Sequence, residues 1–225
     1  MADALVLDAV PFEVSTDELL RRLGAQGDDD LTGDIAALVA RSAQVGRPKA
    51  VFREAHIREL GDGSANIEGI GFVSQVLRSN LEGVGAVYAF VATCGAELDT
   101  LLEGNDDPLM RYALDCIKET ALSAATAYLY RHIEVSYGIA KMSSMNPGSG
   151  DVGLWPIEQQ TPLFELIGDV ERLVGVRLTE SLLMVPNKTI SGVLFPTDSE
   201  FISCQLCQRA ECPNRRAPFG GPADA

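Results

Sequence analysis

Residues 106–137 constrain this chain more than any other stretch. They are alanine-rich, and an apolar stripe through Leu114, Ile117, Ala121, Ala125 and Tyr128 recurs at helical spacing. The pattern predicts a long helix running through the core. Just ahead of it, residues 84–93 form a nearly continuous apolar run, short and aromatic enough to be a buried strand, with Cys94 and Gly95 where it ends. A buried strand beside a buried helix requires a mixed α and β core. At 225 residues the chain has the length for one large domain, or a compact domain with an appended module.

Other elements follow from local signals. Ser15 and Glu18 form a capping box that opens a helix reaching Leu23 and stopping at Gly24. Residues 28–30 are expected to be an acidic loop. Residues 32–43 are predicted to be a helix with Ile35, Leu38 and Val39 on one face, terminated by residues 45–48. Residues 50–56 read as a strand, 70–81 as a helix, and 156–166 as another helix. Residues 176–180 and 189–195 are β-like, separated by Pro186. Residues 143–155 break the helical pattern with a glycine-rich loop. There is no internal repeat.

Charge narrows the functional classes. The formal net charge is −14, and no Lys/Arg cluster offsets it beyond short pairs such as Arg215–Arg216. Such a chain repels phosphate backbones and anionic lipid, so neither nucleic acid nor membrane is expected as a partner. The N-terminal residues lack a basic region and a long apolar stretch, and a cytoplasmic location is expected. No nucleophile elbow or P-loop occurs, and His56 and His132 show no local triad pattern.

The five cysteines are unevenly placed: Cys204, Cys207 and Cys212 form a C-x2-C-x4-C pattern. A two-residue spacing lets two thiolates face one ion while the following loop returns the third, as zinc or an iron–sulfur cluster requires. The alternative is a coincidental grouping on a tail. For a fourth ligand the candidates are Cys94, Cys116, a carboxylate, water or a substrate atom. Cys94 is preferred for its place at a strand end, whereas Cys116 lies beside the apolar stripe and reads as a small buried hydrophobe. Zinc and iron–sulfur both remain open; Cys212-Pro213 is similar to the end of ferredoxin-type motifs.

The loop holding Asn146, Gly148, Ser149 and Gly150 reads either as a ligand loop, in which glycine permits close backbone approach, or as a tight connector. From Ser144 to Phe201 the chain resembles the activation domain of cobalamin-dependent methionine synthase. The resemblance rests on Asn146-Pro147-Gly148, the helix around Leu163 to Leu166, Leu178-Thr179-Glu180-Ser181, Met184, Pro186, Ser191-Gly192 and Asp198-Ser199 with Phe201. It covers about a quarter of the chain well and the long preceding helix more loosely.

That resemblance implies an α+β fold, a twisted antiparallel sheet flanked by helices, over residues 1–200 with a more helical part about 1–80. Residues 201–225 then form a cysteine-rich metal-binding tail packed on it. The resemblance further implies a domain that binds S-adenosylmethionine and docks a corrinoid protein, supporting reductive remethylation of oxidised cobalamin. The family's loop carries an arginine and a tyrosine where Ser144 and Ser149 stand here. This departure weighs against S-adenosylmethionine binding in the family's manner, since a guanidinium holds a carboxylate more strongly than a neutral donor does. No histidine-on corrinoid signature is present, so the corrinoid must come with a partner protein.

The leading reading is a stand-alone accessory or reactivation protein of a corrinoid-dependent methyltransferase system. In it the cysteine motif, with Cys94, holds an iron–sulfur or zinc centre and an electron passes to cob(II)alamin. Two alternatives stand beside it: a non-catalytic, zinc-stabilised binding module, and an S-adenosylmethionine-binding protein whose altered pocket uses Glu180 and the 146–150 backbone.

Overall fold

The computed structural model describes residues 3–149 and 154–198, and beyond these 205, 209, 211, 215 and 217–220. Its centre is a seven-stranded, fully antiparallel twisted sheet. Six strands follow one another across it: β4 (Ile70–Val73), β3 (Ser64–Ile67), β2 (Lys49–Leu60), β5 (Ala86–Thr93), β9 (Thr189–Pro196) and β6 (Met142–Met145). β1 (Leu5–Leu7) pairs with the first half of β2, whose second half pairs with β3. β7 (Arg177–Leu178) and β8 (Met184–Val185) form a separate two-stranded hairpin.

The alternation of side chains along β5 divides the core. Val87, Ala89 and Val91 point to one face, where they meet Leu163, Leu166 and Ile167 of α5 (Gln160–Ile167). Val170 and Val174 of α6 (Val170–Val174) and Leu77 of α3 (Gln75–Asn80) complete that layer. Tyr88, Phe90 and Ala92 point to the other face, against Ala125, Leu129 and Ile133 of α4 (Pro108–Tyr137). A strand covered on both faces reads as a continuous apolar run, as residues 84–93 do.

The first half of α4 serves a different cluster. Ala113, Leu114, Ile117 and Ala121 pack with Leu19 and Leu20 of α1 (Thr16–Leu23), Ile35 and Leu38 of α2 (Asp29–Val45), and Leu98 and Leu101 of a 3₁₀ segment at Ala96–Leu102. An ion network closes the same end: Arg22 bridges to Glu119 at 2.7 Å, and Lys188 reaches Asp115 at 2.8 Å and Glu119 at 3.4 Å. No described helix is long and apolar enough to cross a membrane.

Three expectations change. Residues 28–30 are not a loop: the Asp28 carboxylate caps α2 by accepting from Leu31 N–H at 3.0 Å, and Asp29 and Asp30 occupy the first turn, where negative charge complements the helix dipole. Residues 70–81 are not one helix. Glu68 (φ 52°) and Gly69 (φ 92°) form a two-residue turn with left-handed backbone that folds β3 and β4 into a hairpin. Ser74 then starts α3, accepting from Leu77 N–H at 2.9 Å and donating to Leu154 O at 2.5 Å. Finally, Tyr128 is 38% exposed, because α4 turns its flank to solvent once it passes onto the sheet.

Candidate functional site

Residues 143–145, expected as the start of the loop, instead end edge strand β6 by pairing with β9, and the loop begins at Asn146. Asn146, Pro147, Gly148 and Ser149 form a turn closed by Ser149 N–H donating to Asn146 O at 3.1 Å. Pro147 stands second and Gly148 third, the latter with φ 73°, the left-handed backbone that a type II turn requires there. Gly148 N–H donates to Trp155 O at 2.8 Å, which clips the turn to the chain entering α5. Both of these amides are thus engaged within the protein. The turn presents exposed Gly148 and Ser149 outward.

Three buried polar side chains hold the turn to the sheet. The Asn146 side-chain amide donates to Ser191 O at 2.7 Å, and the Ser191 hydroxyl donates to Gln160 Oε1 at 2.7 Å. Burial is tolerable for these groups because each has a partner. The approach is close enough to demand glycine at 192, where a Cβ would lie 2.3 Å from Met145 O and 2.5 Å from Asn146 Nδ2. Trp155 is 1% exposed and packs edge-on against Phe72, ring centroids 6.0 Å apart, so it anchors the loop by packing. Sequence reasoning found Asn146 and Gly148 but not Gln160 or Ser191 as their support; their spacing in the chain carries no signal, since the sheet alone brings them together.

Glu180 sits elsewhere, exposed in the turn of the β7–β8 hairpin. Thr179 organises this turn: its N–H donates to Leu183 O at 2.9 Å, and its hydroxyl accepts from Leu183 N–H at 3.1 Å. Leu182 is left-handed there, with φ 62°. Among the described residues no hydrogen bond or ion pair joins Glu180 to the Asn146 turn. Ser144 lies in β6 opposite Leu194.

Cys204, Cys207, Cys212 and Gly150 lie outside the described residues. Cys94 is fully buried beside Leu98 and Ile117, and its thiol donates to Gly95 O at 3.4 Å. Burial pushes this thiol up to about 11. Among the described residues no three His, Cys, Asp or Glu side chains come together to hold a metal ion. Cys116 lines a cleft of about 90 Å³ between α1 and α4, far below the size of cofactor sites. His132 packs on Phe52 at 5.6 Å, and His56 is exposed beside Glu68.

Comparison with known proteins places this geometry in context. No protein-family model and no curated protein matches the chain. Among solved structures, a crystal structure of the MetH reactivation domain bound to AdoHcy matches with a TM-score of 0.65 at 16% identity, covering 89% of this chain and 80% of that one. The chain therefore has a methionine synthase activation domain-like fold, an antiparallel sheet flanked by helices.

Proposed function

We infer that the protein is an accessory factor in a corrinoid-dependent methyl-transfer system, acting on a corrinoid protein that brings its own cobalamin. The observation carrying this reading is the fold shared with the MetH reactivation domain over 89% of the chain. The Asn146-Pro147-Gly148 turn at the end of β6 supports it, being the part of the chain whose sequence most resembles that family's ligand loop.

In this reading Gly148, Ser149 and Gly150 contact the ligand, Asn146 holds the turn that presents them, and Glu180 contributes from its hairpin. Since two amides of the turn are engaged internally, contact falls to the exposed face of Gly148 and the Ser149 hydroxyl. With serine at positions 144 and 149, a ligand of the AdoHcy or S-adenosylmethionine type would be held without a guanidinium clamp, and so more weakly.

Cys204, Cys207 and Cys212 supply thiolates to a metal centre, and Cys94 is the proposed fourth ligand. The apolar surroundings of Cys94 favour the neutral thiol, so coordination itself has to displace its proton. When bound, an iron–sulfur centre supplies a low-potential electron for cob(II)alamin, whereas zinc pins the tail without redox chemistry.

The test is made on the full chain purified without oxygen. Iron with sulfide, an electron paramagnetic resonance signal on reduction, and reduction of free cob(II)alamin support the redox form. Stoichiometric zinc in a colourless protein replaces it with the structural form. Calorimetric titration with AdoHcy tests the ligand turn; absence of binding at millimolar ligand removes that part of the reading.

A further inference from the structure

The end of α4 gathers negative charge and aromatic rings that the function proposed above does not use. The helix stops at Tyr137, capped by Gly138 with φ 65°. Its last turn holds no basic residue, and Glu134 stands in it. A helix C-terminus bears partial negative charge and is stabilised by cations, so both the helix end and Glu134 call for positive charge. Glu54 adds to the same field. It lies in β2 directly opposite Tyr88 of β5, so the two side chains share the sheet face that α4 covers. The Tyr137 ring packs on that of Tyr88 at 4.6 Å and on that of Phe52 at 6.3 Å. Burial, and after it the Glu54 charge, raises both phenols, Tyr88 to about 12. The carboxylate is thus within electrostatic reach of both rings.

Among the described residues no cation pairs with Glu54. Its basic neighbours in β2 are committed elsewhere: Arg53 donates to Leu166 O at 2.9 Å on the opposite face, and His56 and Arg58 are held by Glu68 at 3.2 and 2.7 Å. His132 lies against Phe52 and shares its Nε2 with the Ser136 hydroxyl at 3.4 Å. The surface beside the carboxylate is partly open, with Tyr137 39% exposed and Leu5, opposite Phe52 in the sheet, 43% exposed. A carboxylate, a helix C-terminus and the face of an aromatic ring each attract positive charge. A bare metal ion needs several oxygen ligands at once. Ring faces and an exposed leucine instead suit a cation with carbon substituents.

We propose that the surface between Glu54, Tyr137 and the last carbonyls of α4 is a binding site for an organic cation, an ammonium or guanidinium group whose apolar part lies on Tyr137 and Leu5. Free amines and the basic side chains of a partner protein both carry such a group.

The full chain with isotope-labelled tyrosine rings is titrated with tetramethylammonium and with N-acetylarginine amide and read by nuclear magnetic resonance, sodium serving as the control for ionic strength. The chain has five tyrosines, so Tyr88 and Tyr137 are assigned from single Tyr→Phe variants. Both probes are expected to shift the Tyr137 signals saturably at roughly millimolar concentration, as an open surface with one accessible ring permits. Tighter binding of the capped arginine assigns the site to a protein side chain, and tighter binding of tetramethylammonium to a free amine; either supports an organic cation. Glu54→Gln is expected to weaken binding about threefold or more, whereas Glu59→Gln, the same charge change on an exposed residue of β2, leaves it unaltered. Tyr137→Leu is expected to lose binding and Tyr137→Phe, which keeps the ring, to retain it, both read at Tyr88. Far-ultraviolet circular dichroism checks that each variant keeps its helices. No shift beyond the sodium control, undiminished binding by Glu54→Gln, or an equal loss in Glu59→Gln overturns the proposal.

Discussion

A methyl group at position 192 has no room. Gly192 lies where β9 passes under the Asn146 turn, and an added Cβ would press on Met145 O and Asn146 Nδ2. Since the obstruction at Met145 is backbone, β6 has to shift. Gly192→Ala is predicted to cost about 1–3 kcal/mol, the usual range for overpacking, seen as a lower urea midpoint with unchanged m-value. Glu68 offers a pH test. The Arg58 side chain, then the His56 backbone N–H, hold its carboxylate down to about 2, below the ordinary 4.5. A depressed carboxylate pKa adds stability that is full above about 4.5 and lost as pH falls toward about 2. The wild type should therefore exceed Glu68→Gln in urea midpoint at pH 7, with the gap narrowing steadily below pH 4.5. In the metal-free chain Cys94 should resist iodoacetamide at pH 7.5 and react only as fast as the protein unfolds, because the neutral, buried thiol is neither nucleophilic nor reachable. Peptide-level mass spectrometry reads this directly; rapid native labelling would contradict the burial described.

At the scale of elements, Ser74 joins two parts of the chain far apart in sequence, capping α3 while bonding to Leu154 O near the Asn146 turn. Ser74→Ala is expected to destabilise by about 0.5–2 kcal/mol, the range for lost N-caps, measured by thermal or urea unfolding. This same residue shows where sequence reading runs out. Strand β5 and helix α4 were legible because each is long and apolar on a recognisable period. The segment from Ile70 reads as a helix because Ile70, Phe72, Val73, Val76 and Leu77 mix both periods over a short span, and the turn that makes its start a hairpin strand lies upstream at Glu68, an uncommon left-handed residue. Likewise the Asn146 turn was legible from its proline and glycine. Its supports, Ser191 and Gln160, were not, because β-sheet pairing between distant segments leaves no local mark. Spacing alone puts Tyr128 in the core; which flank of α4 meets the sheet is decided by the neighbours.

At the scale of the whole molecule, one helix belongs to two cores. The start of α4 is buried by α1 and α2, and its end by the sheet. The single tryptophan, Trp155, lies in a third cluster on the opposite face of that sheet. Fluorescence therefore reports one side of the molecule while far-ultraviolet dichroism reports every helix. The two unfolding curves are predicted to coincide in urea, since losing α1 and α2 strips the first half of the one helix whose second half covers the sheet. Separate midpoints would show that the N-terminal helices melt independently.

Sharing α4 also fixes a phase. A single residue inserted after Ala121 would rotate everything downstream by about 100°, swinging Ala125, Leu129 and Ile133 off the sheet while Ala113 and Ile117 stayed in place. Seven residues would leave an offset of only about 20°, though they would lengthen the rod by two turns. Variation in length within this architecture is thus confined to its loops, and the long helix acts as a ruler with a set angular scale.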